Sequence, residues 1–416
     1  MKLINKIVDV LFLKNLKEII LSFFAIFLSI LIVFYGTEFR IYSIDANKFY
    51  QWLLIILICT IFLIYFYKKD KFSIIERLFI FYFILCGICS FYYTIGIEWF
   101  LLSLIVLFLN LNKLSKNKNY LISSIIFNNI FILSIVIYSF YLVREIFFLA
   151  DGYYGIITFG KNEKGVNIPR SSGLSRSLCY VFITLLSVYL SIIISKKNKL
   201  RNSTYALLFL PIIILIYKLE SRGSLLCLIF SIYSLGNTYL ILKIKFIKII
   251  FINLIILFAL LVSLNYISYR EFNGLEILYQ SSGRFESWIK AFTELPFLIF
   301  GYGLQADRNI LNLNISNLYI YAYLSSGIFG LFVLLSHIIA LIKYLLDILK
   351  YFYKIKKNFI SLFIFNYCIL IFSYFAFRGL VENSFAIVSL DLIIWLTLIN
   401  SVVYLKNLYA IKESSR

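Results

Sequence analysis

The sequence is poor in charge, nearly free of proline and holds one histidine. Only 14% of its 416 residues are Asp, Glu, Lys or Arg, against roughly a quarter in a soluble domain. A water-exposed surface cannot be built from so little charge, and a 62% hydrophobic content excludes a soluble enzyme on the same ground. Three prolines leave long stretches with nothing to stop a helix. Six cysteines and one histidine supply no zinc spacing, and the acids supply no calcium spacing. Cys86 and Cys89 form an isolated CxxC inside an apolar run, which reads as packing rather than redox chemistry. No metal and no cofactor is expected.

What the chain does have is apolar length. Run after run reaches the roughly 17 to 25 residues that cross a bilayer core, and the runs are continuous rather than alternating, which favours helices over barrel strands. The expected fold is all-α, a polytopic integral membrane protein forming a single transmembrane domain over 1–416. About twelve spans are read by the ~20-residue criterion: 19–35, 51–67, 78–95, 97–111, 120–143, 174–195, 203–218, 224–241, 246–264, 317–342, 358–377 and 386–404. The amphipathic start has no small-residue cleavage site before the first run, so that helix is expected to be retained.

Lysine sets the orientation. It gathers in alternate loops, at Lys68, Lys69 and Lys71, at Lys113, Lys116 and Lys118, at Lys196, Lys197 and Lys199, and at Lys350, Lys354, Lys356 and Lys357. Basic loops stay in the cytoplasm, so both termini are expected there. The formal charge of +20 is then topogenic and suits anionic lipid; it gives no reason to invoke nucleic acid.

The other set of loops is short of lysine and carries arginine: Arg40, Arg144, Arg170, Arg176, Arg222, Arg270, Arg284, Arg308 and Arg378. Two of these external loops are long, about 144–173 and 265–316. A guanidinium grips phosphate or carboxylate through two parallel hydrogen bonds, so the pattern points to an external site for an anionic group. The alternative is pairing with external acids such as Glu220, Glu271, Glu286 and Glu382. From 281 to 331 the apolar pattern gives way to polar, aromatic and glycine-rich sequence, with Arg284 and Trp288 four apart, the breaker Pro296 and the GYG turn at 301–303. This stretch is expected to be folded.

In order, RSSGLSRS at Arg170, SRGSLL at Ser221, GRFESW at Gly283, PFLIFGYG at Pro296 and SNLYIYAYLSSGIFG at Ser316 resemble the O-antigen polymerases and ligases of bacterial surface-polysaccharide assembly. The resemblance covers roughly the second half of the chain and its topology. It implies action on oligosaccharides linked to undecaprenyl pyrophosphate at the outer face of the cytoplasmic membrane, with a chain-length regulator membrane protein as a further partner. By the same resemblance Arg170, Arg222 and Arg284 handle pyrophosphate, with Arg176, Arg270 and Arg378 as further candidates. The ligase branch carries a histidine before the asparagine that opens the late helix; here Ser316 precedes Asn317, and the only histidine, His337, falls inside a span. A polymerase is therefore favoured over a ligase, and over a flippase, whose loops would be more even.

Such a transfer needs stabilisation of the departing pyrophosphate and a base for the acceptor hydroxyl. Glu220, Glu286, Asp307 and Glu382 lie on the expected side. Glu382 ranks first because it stands four residues from Arg378 in a short loop, FRGLVENSF; Glu220 and Arg284 complete the expected catalytic set. A helix-end ion pair is the simpler reading of Arg378 and Glu382. Asp391, a carboxylate within the last span, is a candidate by position, with a hydrogen bond to a neighbouring helix as the alternative.

Overall fold

The computed structural model describes 72–90, scattered residues of 101–109, 118–142, 171–195, 209–218, 222–242, 284–295, 298–304, 306–312, 315–382 and 390–414. Among these residues the chain is helical and no strand occurs. The helices are α1 (Ile74–Cys89), α2 (Lys118–Leu142), α3 (Ser171–Ser195), α4 (Phe209–Lys218), α5 (Arg222–Ile241), α6 (Arg284–Glu294), α7 (Ala306–Asn309), α8 (Leu318–Leu349), α9 (Phe352–Ile355), α10 (Phe359–Val381) and α11 (Leu390–Ser414).

Five of them, within α3, α5, α8, α10 and α11, are long and apolar enough to cross a membrane. They fall within a few residues of five expected spans, because an uninterrupted apolar run has only a helix in which to bond its backbone away from water. α1 and α2 overlap the spans expected at 78–95 and 120–143, and α4 is the second half of 203–218. The spans expected at 19–35, 51–67 and 246–264 lie outside the described residues, as does most of 97–111. This is a helical protein with several helices suited to a bilayer.

α10 is the axis of the bundle, packed against α3, α5, α8 and α11. Cross-contacts set the directions. Tyr180 of α3 meets Arg378 while Ser191 meets Asn366; in α5, Phe230 stacks on Phe377 while Tyr239 bonds to Asn366. Asn317, before α8, reaches Leu380, and Asp391 of α11 reaches Arg378. These four helices therefore run antiparallel to α10, and their first turns gather around its last. α1 runs with α10, since Ile75 meets His337 and Tyr82 meets Ser325 on α8.

The two ends of the bundle differ in chemistry. Where α8 ends and α10 begins lie Lys343, Lys350, Lys354, Lys356 and Lys357, with Lys406 3.5 Å from Asp347 and its Nζ 3.3 Å from the Tyr344 ring centroid. The opposite end, where α10 finishes, carries arginine and carboxylate. Between the ends, one face of α8 presents Phe329, Phe332, Ile339 and Leu346 exposed, a stripe that suits hydrocarbon.

α8 is broken. Asn317 caps it, its Oδ1 accepting from Tyr319 N at 2.9 Å and Ile320 N at 3.1 Å, and Gly327 then leaves helical geometry at φ 71°. The break strips nearby carbonyls and amides of their partners, and the 298–303 segment replaces them. Tyr302 N donates to Leu324 O (2.9 Å), Gly303 N to Ser325 O (2.8 Å) and Ile328 N to Leu298 O (2.9 Å). A Cβ at Gly301 would strike the Ser325 backbone, and one at Gly327 the Ile299 carbonyl, so the approach requires both glycines. The sequence puts this segment in a loop beyond the bilayer; the structure packs it against the helix about 12 Å from the helix start, eight residues at 1.5 Å each. Around it Ala291, Ala306, Leu311, Ile315, Tyr323 and Leu324 form a small core, so the described part of this stretch is folded, as expected.

Candidate functional site

Three helix ends supply the site. Arg176 and Tyr180 are four apart in the first turns of α3 and share a face. Arg378 lies in the last turn of α10, and Glu382 is its C-cap. Asp391 lies in the first turn of α11, where a carboxylate is favoured by the helix dipole.

Arg378 is the hub, 1% exposed along its side chain. Its Nε donates to Glu382 Oε2 at 2.8 Å and its Nη1 to Tyr180 Oη at 2.7 Å. Nη2 lies 2.5 Å from Asp391 Oδ2, a charge contact outside hydrogen-bond geometry. Tyr180 Oη in turn donates to Asp391 Oδ1 at 2.5 Å. Arg176 is the looser cation: its Nη1 lies 3.3 Å from Glu382 Oε2 and 3.7 Å from Asp391 Oδ2. Two guanidiniums and two carboxylates cancel in charge, which is what makes burial at this depth tolerable. Exposure is graded, from Arg378 (1%) and Asp391 (4%) to Arg176 (13%) and Glu382 (20%).

Aromatic packing fixes the hub from below. The Arg378 guanidinium sits 5.9 Å from the Phe375 ring, and Phe375 meets Trp395 edge-on at 5.3 Å. Trp395 Nε1 donates to His337 Nε2 at 3.2 Å, and His337 Nδ1 is 3.0 Å from Ile75 O. A carbonyl only accepts and an indole N–H only donates, so Nδ1 carries the proton and the ring is neutral. His337 is a packed core residue with both nitrogens engaged, as its place inside an apolar span suggests.

Of the sequence candidates, Arg176, Arg378 and Glu382 are thus brought together, and Asp391 joins them. The pairing that the sequence offered as an alternative, arginine with carboxylate, is realised for both arginines. Arg222 and Arg284 open α5 and α6, but their side chains lie outside the described residues, as do Arg170, Glu220 and Arg270 altogether. Glu286 is exposed in the first turn of α6. Asp307 is buried, its Oδ2 accepting from Ile315 N at 2.9 Å, so it holds a turn of the small core. One member of the cluster was not singled out from the sequence, and another was a candidate by its position alone. Tyr180 is one of 33 tyrosines and carries no local signal. Asp391 had one, being the only acid between 383 and 412.

No family model, curated protein or solved structure matches the chain. The arrangement itself therefore carries the functional argument. It holds a partly open carboxylate between two cations at a helix end, with a third helix locking the more buried cation. Among the described residues no group of three His, Cys, Asp or Glu could hold a metal.

Proposed function

We propose that this chain is a polysaccharide polymerase of the cytoplasmic membrane, joining oligosaccharide repeat units carried on undecaprenyl pyrophosphate at the outer face. The observation that carries the reading is Glu382, held at 2.8 Å by Arg378 and 3.3 Å by Arg176 and still 20% exposed. In the reaction an acceptor sugar hydroxyl attacks the anomeric carbon of the donor unit. Its proton passes to the Glu382 carboxylate as the new glycosidic bond forms. The bond from the anomeric carbon to the pyrophosphate oxygen breaks, and the lipid pyrophosphate departs with the electron pair. Cations stabilise that leaving charge, Arg176 being the more open of the two here and Arg170, Arg222, Arg270 and Arg284 the further candidates. Glu220 remains the second candidate base.

The wider topology belongs to the same proposal: about twelve spans, the lysine-rich end and both termini in the cytoplasm, and the Glu382 end outside. The lysine-rich turn between α8 and α10 at one end of the bundle, and the Arg176, Arg378 and carboxylate cluster at the other, support it. A ligase reading is weakened because His337 has both ring nitrogens engaged, by Trp395 and by the Ile75 carbonyl.

Deletion is the direct test. A strain lacking the chain should carry single repeat units on its surface in place of long polymer. Lipid-linked polymer left unattached would indicate a ligase, and repeat units trapped inside a flippase; either outcome overturns the polymerase.

A further inference from the structure

Arg378 does not meet a carboxylate as arginine usually does. The common arrangement is a fork in which two N–H groups bind both oxygens of one carboxylate. Here the guanidinium is divided among three partners: Nε to Glu382, Nη1 to Tyr180 and Nη2 beside Asp391. Tyr180 and Asp391 are themselves tied by the hydrogen bond from Tyr180 Oη to Asp391 Oδ1. Tyr180 is clamped between Tyr374, edge-on at 5.3 Å, and Phe375, stacked at 5.7 Å. The plane of the guanidinium is thereby fixed from α3 and α11 as well as from its own helix.

We propose that Tyr180 and Asp391 are positioning residues for Glu382, holding both Nη groups of Arg378 so that Nε alone meets Glu382 and a second negative charge balances the arginines around it. The inference rests on the reading of Glu382 as the base of a glycosyl transfer. A carboxylate flanked by two uncompensated guanidiniums holds a proton weakly and makes a poor base. Asp391 offsets that effect, and Tyr180 keeps Asp391 and Arg378 in register. Among the described residues, the charged and titratable groups around Glu382 include Arg176 and Tyr180 on α3, Arg378 on α10 and Asp391 on α11, with Cys179, Cys227 and Tyr374 close enough to feel its charge.

The test uses the full chain in lipid vesicles, with lipid-linked repeat units extracted from the deletion strain as the probe and turnover followed against pH. Asp391→Asn should lower turnover about tenfold or more, part of the ~100-fold or greater contribution of a placed base. Its acid limb should move to lower pH, because loss of a negative neighbour stabilises the ionised carboxylate. Asp391→Glu should return the limb toward its original position. Tyr180→Phe should lower turnover with a smaller shift, since no charge is removed. Wild-type turnover and limb in both Asp391→Asn and Tyr180→Phe would overturn the proposal, and so would a lower rate with an unmoved limb in Asp391→Asn. Should Asp391→Asn fail to accumulate, Tyr180→Phe decides by its rate alone. A wild-type chain that joins no units in these vesicles would instead remove the polymerase reading, and the positioning roles with it.

Discussion

Glu382 and Arg378 occupy one turn of helix, yet substitutions at the two should fail in different ways. Glu382→Gln keeps shape at a partly exposed position and its carboxamide oxygen can still accept from Arg378, so its larger expected defect is in chain growth, about 100-fold or more. A gel ladder of surface polysaccharide at matched protein level checks it, and ladders of wild-type length would exclude the base. Arg378→Met should instead be a stability defect, because it strands Asp391 beneath the surface. Breaking one partner of a buried ion pair costs roughly 3 to 5 kcal/mol. Arg176 is more open and its contacts with Glu382 and Asp391 are longer, so Arg176→Met should unfold less readily than Arg378→Met. Thermal unfolding in detergent ranks the pair, and the reverse order would show that Arg378 is not the hub.

At the scale of elements, α8 is where small changes should be most visible. Gly301→Ala drives a methyl into the Ser325 backbone and should prevent the 298–303 segment from docking. Gly236→Ala, in the interior of α5 with open space around it, should be neutral or stabilising by up to about 1 kcal/mol. Comparison of protein levels and midpoints for the two separates close approach from a general intolerance of alanine. Asn317→Ala should cost about 1 kcal/mol through the lost cap and should also free the Leu380 carbonyl at the turn that carries Glu382. Five of the expected spans were legible because apolar length acts locally. The break in α8 was legible only in part: GYG announced a turn, but its partnership with Leu324 and Ser325 links positions more than twenty residues apart, and no local pattern encodes that. The site divides in the same way. Arg378 and Glu382 share one helix end and could be paired by spacing, whereas Tyr180 and Asp391 arrive from α3 and α11 and become neighbours only when the bundle closes.

At the scale of the molecule the described residues are polarised, with a lysine-rich turn at one end and an arginine–carboxylate cluster at the other, and that polarity can be measured. With single cysteines introduced as Lys350→Cys and Thr293→Cys, an impermeant thiol reagent applied to intact cells should label the second and spare the first. Both positions are exposed, so access is decided by side of the membrane. Labelling of position 350 alone would invert the orientation and put Glu382 on the cytoplasmic side. The mended break in α8 also constrains how the chain enters the bilayer. Leu324 and Ser325 take their hydrogen bonds from residues made earlier by the ribosome, at Tyr302 and Gly303. A helix that left the insertion machinery alone would meet lipid with those carbonyls bare, at several kcal/mol each. The 298–303 segment and α8 should therefore be released as one unit, and a nascent chain stalled before both have emerged should stay with the translocon.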